Sequence, residues 1–364
     1  MATATADTGF TAQDRAALVD QLRRLLSDRS DEAAVRRAMD SESGIDRDLW
    51  RALADMGITG LLVDEAQGGT GLGAIELELV FEEVGAALAC VPLLSSAVLA
   101  AGLLKAVGDT ELLGGIADGS RIATVALAGP GGWSQADVSV SATGDSLSGT
   151  ARFVTDAQVA DTLLVVAKEG DGIGIFHVAA DAPGVTVAPL PTFDRTRPMA
   201  DVTFDAVPAR RLGSGWDKVE AALDLALVAL AGEQAGGARA MLERTVAYTR
   251  ERFQFGRAIG SFQAIKHMAA DLLLESESAT SAARHAAERL AARAPDAAQA
   301  ISLAAFACAD AFVKVAADAI QMHGGIAFTW THPAHLYLRR ARSAAQLFGT
   351  SAYHRERFVR ELET

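Results

Sequence analysis

The feature that most constrains the fold is a change of hydrophobic periodicity that occurs twice along the chain. From residue 11 to about 113, and again after 215, apolar residues recur at the three- and four-residue spacing of amphipathic helices. Between residues 121 and 212 the chain instead carries short β-branched runs separated by Gly, Asp and Pro. This order predicts a multidomain α+β protein, with helices first, a small antiparallel β domain next, and a helical bundle last.

The same pattern gives the domain boundaries. We expect an N-terminal α-helical domain at residues 1–118, a central β-barrel or sandwich at 119–215, and a C-terminal four-helix bundle at 216–364. The strands are predicted at residues 123–127, 138–142, 151–155, 162–167, 173–178, 185–188 and 200–204. The helices of the bundle are predicted at residues 216–251, 261–293, 296–323 and 333–362.

Composition excludes several classes of function. The chain has 33 Lys and Arg against 46 Asp and Glu, a formal net charge of −13, which argues against broad contact with nucleic acid or anionic membranes. We find no secretory signal and no uncharged span long enough to cross a bilayer, so a cytoplasmic protein is expected. Cys90 and Cys308 have apolar neighbours and are expected to be buried, reduced thiols, and no metal site is expected.

Four segments combine residue types that suit ligand binding. Arg252 follows a helical run and precedes Gly256, so its guanidinium can extend from a helix end towards a diphosphate. Gly324 and Gly325 permit a close approach of backbone to ligand, and the Gln321 amide offers donors and an acceptor. The complete segments are Asp-Glu-Ala-Gln-Gly-Gly-Thr-Gly-Leu-Gly at 64–73, Leu-Ser-Gly-Thr with Phe-Val-Thr at 147–155, Glu-Arg-Phe-Gln-Phe-Gly-Arg at 251–257, and Gln-Met-His-Gly-Gly-Ile at 321–326.

In this order and on this framework, the four segments resemble the acyl-CoA dehydrogenase family over nearly the whole chain, in particular bacterial members that act on sterol side chains or other bulky acyl groups. The resemblance implies an FAD cofactor at a subunit boundary, and hence a homo- or hetero-oligomer, a dimer or tetramer. It places these residues around FAD: Arg252, Gln254, Phe255, Gln263, Gln321, Gly324, Gly325, Thr155 and Thr350. The stretch with Pro130 and Gly131 departs from the family's Thr-Glu-Pro-Gly-x-Gly-Ser-Asp pattern.

The resemblance also implies a reaction. Family members oxidise a saturated acyl-CoA thioester to its trans-2-enoyl form. A carboxylate removes a proton from Cα while hydride leaves Cβ for flavin N5, and an electron-transfer flavoprotein or similar acceptor takes the electrons. Two alternatives remain open: a non-catalytic subunit that completes a partner's FAD site, and a flavin oxidase or monooxygenase on the same fold.

Neither of the family's usual bases is present. The C-terminal glutamate that precedes Gly-Thr is replaced by Phe348, whose backbone N–H can still donate to a thioester carbonyl. The second location, an Asp-x-Glu-Arg pattern in the first helix of the bundle, reads Asp-Leu-Ala-Leu from Asp224. Phe348 and Asp224 are therefore assigned to substrate binding only.

Glu233 is the remaining candidate for the base. It follows Ala226 by seven residues, so it lies on the same helix face about 10 Å further along the axis. Its neighbours are apolar, which disfavours a simply solvated carboxylate. Sterol-type members carry a glutamate in a similar helix, which makes Glu233 the candidate base. A buried ion pair with an arginine of the bundle, or no special role, are the alternatives.

The arginines at 339, 340 and 342 are candidates for the partner of a CoA phosphate or a neighbouring subunit. The simpler interpretation of such a cluster is a solvated helix face.

Overall fold

The computed structural model describes residues 10–362, and these divide into two compact units. The helical unit comprises residues 10–35, 74–89 and 227–362, and the sheet unit comprises residues 36–73 and 90–226. The predicted succession of helices, central sheet and helices is confirmed. The three domain boundaries stay predictions.

The first three helices predicted for the bundle, at 216–251, 261–293 and 296–323, begin and end close to their predicted limits. The helices of the structure are α1 (Ala12–Arg29), α2 (Glu32–Asp40), α3 (Arg47–Asp55), α4 (Ala74–Ala86), α5 (Ala101–Val107, preceded by a π-type helical run at Leu93–Ala100), α6 (Leu113–Ala117), α7 (Trp216–Glu251), α8 (Gln263–Ala291), α9 (Ala297–His323), α10 (Ala334–Ala344) and α11 (Ser351–Leu362).

The strands of the sheet unit form one sheet. They are β1 (Ala123–Ala126), β2 (Ser141–Thr143), β3 (Ser146–Thr155), β4 (Thr162–Glu169), β5 (Gly172–Ala179), β6 (Val185–Pro189), β7 (Met199–Pro208) and β8 (Arg210–Ser214). The order is β6-β7-β3-β2-β4-β5-β8, with β1 beside β4. Pairing is antiparallel except that β1 and β2 run parallel to β4. The inner side chains of β3, β4, β5 and β7 form the core of the sheet.

Three strand predictions were incomplete, and one strand was missed. The predicted runs at 151–155 and 200–204 cover only part of β3 and β7. The run at 138–142 begins as a strand only at Ser141, because Ser134 and Asp137 form a capped turn immediately before it. Strand β8 was missed, since its Arg210 and Arg211 are charged and the strand lies at the edge of the sheet.

The prediction of one helix at 333–362 was wrong. The chain leaves the helical conformation between α10 and α11, where Phe348 has φ +58° and Gly349 has φ +125°. A Cβ at Gly349 would lie 2.6 Å from the Tyr353 ring, so only glycine fits this turn. Amphipathic periodicity continues on both sides of the break and therefore concealed it.

Helices α4 and α7 cross with their backbones in contact. A Cβ on Gly85 of α4 would lie 2.0 Å from the Glu233 carbonyl oxygen, and a Cβ on Gly236 of α7 would lie 1.8 Å from the Glu82 carbonyl oxygen. Small residues are what allow helices to approach this closely. The crossing therefore fixes the backbone position of Glu233.

One segment, 297–328, is long and apolar enough to cross a membrane, contrary to the expectation that none would qualify. Within the apolar window 61% of the residues are buried, and α9 packs against α8, α10 and α11. Its apolar character is that of a bundle core helix. Cys308 on this helix and Cys90 are both free and buried, as expected.

Candidate cofactor and substrate site

The end of α7 presents Arg252 on an exposed hairpin. The Arg252 N–H donates to the Tyr248 carbonyl at 2.9 Å, and Phe253–Gln254 then pairs with Arg257–Ala258. The hairpin tip is left-handed, with φ +54° at Phe255 and +77° at Gly256. Arg252 and Gln254 are exposed, and Phe255 is 92% exposed. Within residues 10–362, Arg252 forms no ion pair.

The end of α9 presents a second open segment. Gln321 is exposed, and Gly324 follows His323 with φ +67°. A Cβ added at Gly324 or Gly325 would have no heavy atom of the described chain within 4 Å. These glycines therefore leave free space beside the backbone and do not serve internal packing.

Tyr248 and His323 join the two segments. Their rings stack with centroids 4.5 Å apart, and the Tyr248 hydroxyl donates to the His323 carbonyl at 3.3 Å. Arg252 lies one helical turn beyond Tyr248, and Gly324 directly follows His323. The structure thus places the Arg252 and Gln321–Gly325 segments side by side in the helical unit.

The other predicted cofactor residues are placed as follows. Gln263 is the exposed first residue of α8, and Thr350 is exposed with its hydroxyl accepting from the Tyr353 N–H at 3.3 Å. Thr155 belongs to the sheet unit, where it ends β3 after a bulge and is 4% exposed. The Thr124 hydroxyl donates to the Thr155 carbonyl at 2.7 Å and fixes the strand end.

Glu233 forms a buried ion pair with an arginine of the bundle, which was one of the alternatives left open from the sequence. Arg340 Nη1 donates to Glu233 Oε1 at 3.2 Å, and the two side chains are 3% and 1% exposed. Arg340 Nη2 lies 3.5 Å from the Ala89 carbonyl oxygen. The assignment of Arg340 to a solvated helix face was therefore wrong, because its guanidinium is inside the bundle.

The turn at Phe348 and Gly349 lies beside a small cavity. Phe348 is 4% exposed, and its two neighbours Leu347 and Gly349 line the cavity. Leu227 and Gln234 of α7 and His354 of α11 line it as well. Asp224, the other predicted substrate residue, is half-buried and belongs to the sheet unit.

A set of buried glutamates on α4 was not predicted. Glu82 pairs with Arg284 at 3.0 Å, and Glu83 pairs with Arg239 at 3.0 Å. Glu78 is 1% exposed, and burial together with the nearby Glu82 carboxylate raises its pKa to about 9. The only sequence signal was the presence of carboxylates on an otherwise apolar helix. No three His, Cys, Asp or Glu side chains of residues 10–362 come together as a metal site.

Comparison with known proteins agrees with this architecture. The acyl-CoA dehydrogenase N-terminal domain model matches residues 12–113, and the C-terminal domain model matches residues 213–363. The acyl-CoA dehydrogenase IpdE2 of Mycolicibacterium smegmatis is 34% identical over 93% of this chain and 95% of its own length. The chain belongs to the acyl-CoA dehydrogenase family.

Solved structures support the same assignment. A variant of the Tcur3481-Tcur3483 steroid acyl-CoA dehydrogenase is 34% identical, has a TM-score of 0.89, and is matched over 96% of this chain and 98% of its own. The ChsE4-ChsE5 complex from Mycobacterium tuberculosis contains a chain that is 32% identical, with a TM-score of 0.88 and coverage of 100% and 99%. This acyl-CoA dehydrogenase is therefore an oxidoreductase of lipid metabolism that acts on CH–CH groups, with FAD as its cofactor.

The residues present suit FAD. An exposed guanidinium that has no counter-ion among residues 10–362 matches the charge of a diphosphate, and two glycines with open space beside them admit a ligand close to the backbone. The exposed Phe255 ring at the tip of the same hairpin as Arg252 offers an apolar surface.

Proposed function

We propose that this acyl-CoA dehydrogenase catalyses the α,β-dehydrogenation of an acyl-CoA thioester to the trans-2-enoyl-CoA, with loss of a proton from Cα and of hydride from Cβ. The bound FAD supplies the hydride acceptor at N5. The observation that carries the proposal is the Tyr248–His323 contact, which brings the Arg252 and Gln321–Gly325 segments together, with open space beside Gly324 and Gly325.

Arg252 would pair with the FAD diphosphate. Its guanidinium can donate two parallel hydrogen bonds to phosphate oxygens and supplies the opposing charge. Gln254, Phe255, Gln263, Gln321, Gly324 and Gly325 would form the rest of the surface in the helical unit, and Thr155 and Thr350 are the further predicted contacts. Because this surface is exposed in the single chain, the proposal includes an oligomer in which FAD lies between subunits.

Phe348 would hold the thioester carbonyl. Its left-handed conformation interrupts the helical backbone between α10 and α11. A backbone donor aimed at the carbonyl oxygen stabilises the negative charge that develops there when the Cα proton leaves. Asp224 is the second predicted substrate contact.

Glu233 is the proposed acceptor of the Cα proton. Its carboxylate is buried inside the bundle, and the next residue of α7, Gln234, lines the same cavity as Gly349. The Arg340 guanidinium is paired with this carboxylate, so proton transfer requires that the guanidinium move away from Oε1.

The same ion pair favours a second candidate function. If Arg340 remains on Glu233, the chain contributes FAD-binding groups and oligomer contacts while a homologous partner supplies the base. One structure to which the chain is similar, from Mycobacterium tuberculosis, is a complex of two chains, ChsE4 and ChsE5.

The acyl group of the substrate is proposed from a second similar structure. Since that structure is a steroid acyl-CoA dehydrogenase, we propose a bulky cyclic acyl group for the substrate. An electron-transfer flavoprotein as acceptor and a cytoplasmic location complete the proposal.

The test is flavin content and turnover of the purified chain, alone and co-expressed with a homologous acyl-CoA dehydrogenase chain. Short, long and steroidal CoA esters are offered with an artificial electron acceptor. A yellow isolated chain that bleaches with one ester supports the dehydrogenase, whereas flavin and turnover only after co-expression support the heteromer. Rapid peroxide formation without an added acceptor would favour the oxidase, and absence of flavin in every preparation would reject all three.

A further inference from the structure

A buried imidazole lies directly behind the turn that separates α10 and α11. His354 is 2% exposed, and its Nε2 lies 2.8 Å from the position that a Cβ on Gly349 would take. The Tyr353 ring lies 2.6 Å from the same position. The backbone N–H of His354 donates to the Thr350 carbonyl at 3.0 Å, so the residue is anchored in the first turn of α11. The imidazole therefore has a fixed position against the turn.

The polar atoms of this ring are not used elsewhere in the described fold. Neither ring nitrogen makes a hydrogen bond of good geometry with residues 10–362. Burial, together with the Arg357 guanidinium, lowers the pKa of His354 to about 4 against the opposing effect of the Phe348 backbone. The ring is therefore neutral at physiological pH, with one N–H donor and one acceptor. Buried groups of this kind nearly always find partners, and here those within reach are the Phe348 backbone and the cavity.

The cavity can supply the second partner. It is lined mostly by Ala and Leu side chains, and Gln234 and His354 are its polar side chains, each 2% exposed. A buried site with two polar side chains and a backbone turn has enough partners to hold an ordered water. A water between Gln234 and the ring would fix the tautomer and leave the other nitrogen for the turn.

We propose that His354 is a positioning residue, whose imidazole donates to the Phe348 carbonyl, fixes the peptide plane between Phe348 and Gly349, and thereby holds the left-handed turn that carries the Phe348 N–H. The inference rests on the proposed function, in which that N–H holds the thioester carbonyl. A left-handed Phe followed by a glycine is a conformation that local preferences do not maintain on their own. The buried His354 imidazole stabilises this conformation through its hydrogen bond to the Phe348 carbonyl.

The experiment compares two side chains of similar length in the flavin-loaded protein, together with its partner chain if one is needed. His354→Gln keeps an N–H donor near the position of Nε2, and His354→Met removes it. His267→Gln, at an exposed position on α8, is the matched control. Steady-state kinetics are measured with the best CoA ester, and hydrogen exchange of residues 347–350 is measured in the ligand-free protein.

We expect His354→Met to lower kcat about tenfold or more while KM changes little, because a transition-state contact is misdirected. His354→Gln should recover most of kcat, and amide exchange at 347–350 should be faster in the Met variant only. Equal kcat in wild type and His354→Met, or equal impairment of the Gln and Met variants, would overturn the inference. If His354→Met does not fold, His354→Leu takes its place in the comparison.

The two proposals fail in different ways. Absence of turnover in the wild-type protein under every condition would reject the proposed function, and the exchange measurement would then decide on His354 alone. Unchanged exchange at 347–350 in the Met variant rejects the positioning role even where turnover is normal.

Discussion

Glu233 and Arg340 form an ion pair inside the bundle, with 3.2 Å between Oε1 and Nη1 and almost no exposure of either side chain. The backbone of Glu233 cannot shift, because Gly85 of α4 packs directly on its carbonyl oxygen. The helix crossing thus sets the position of the backbone that carries this carboxylate, and the Arg340 guanidinium must leave Oε1 before the carboxylate can react. This relationship decides whether the chain can take a proton by itself.

Glu233→Gln should leave flavin content unchanged and abolish exchange of the substrate Cα proton with solvent. The exchange is followed by mass spectrometry of the acyl-CoA in deuterated buffer without an electron acceptor. Glu243→Gln, an exposed glutamate on the same helix, is the control. Exchange at the wild-type rate in Glu233→Gln would exclude Glu233 as the base.

The same substitution should destabilise the protein. Removal of one partner from a buried ion pair leaves the other charge uncompensated and costs about 3–5 kcal/mol. Replacement of both partners, Glu233→Leu with Arg340→Met, should recover most of the thermal stability without restoring proton exchange. If the double variant is as unstable as Glu233→Gln, the ion pair itself and not the buried charge stabilises the bundle.

Arg252→Ala should weaken FAD retention. Loss of a charge-assisted contact costs about 1.5–3 kcal/mol, which corresponds to a tenfold to hundredfold weaker affinity. Flavin absorbance per chain after extensive dialysis measures the effect, and Arg250→Ala, two residues earlier and also exposed, is the control. Undiminished flavin content in Arg252→Ala would reject the diphosphate contact.

Glu78 should make the protein less stable as the pH rises. Its pKa is about 9 in the folded chain against 4.5 in the unfolded chain, owing first to burial and then to Glu82. Between these values the folded state holds a proton that the unfolded state has lost, so the free energy of unfolding falls by at most about 1.4 kcal/mol per pH unit. The contribution is complete below pH 4.5 and lost above pH 9.

Glu78→Gln removes this titration. The melting temperature of Glu78→Gln should therefore decline less than that of the wild type from pH 6 to pH 9, as measured by circular dichroism. Parallel declines in the two proteins would show that Glu78 is not protonated in the folded chain.

Much of the fold follows from local pattern. The boundaries of α7 at Trp216 and Glu251 coincide with those predicted from the sequence, because the segment contains no proline and directly follows Gly215. The break between α10 and α11 was not predicted, since Phe has no preference for φ +58° and the conformation is imposed by packing around Gly349. Strand β8 was not predicted either, because its five residues include no β-branched side chain.

The candidate site shows the same division. The Arg252 and Gln321–Gly325 segments were recognisable because each is a short local motif. The contact that joins them, between Tyr248 and His323, spans 75 residues and leaves no local trace. The partner of Glu233 is 107 residues away, and Arg340 is one of several arginines on a helix that local pattern assigns to solvent. Long-range pairing of this kind is decided by the packing of the bundle.

Phe348 stands at the position where the sequence resemblance implies the family's C-terminal glutamate. Introducing Phe348→Glu into the Glu233→Gln chain should restore Cα proton exchange if the turn faces the substrate, because burial at this position favours a carboxyl group that can hold the proton. Phe348→Gln in the same background is the control, since it has nearly the same shape and cannot act as a base. Both variants place a polar group in a buried position and should lower the melting temperature by similar amounts. Exchange with Glu and none with Gln would locate the substrate Cα beside residue 348, and the absence of exchange in both folded, flavin-loaded variants would show that the turn does not reach it.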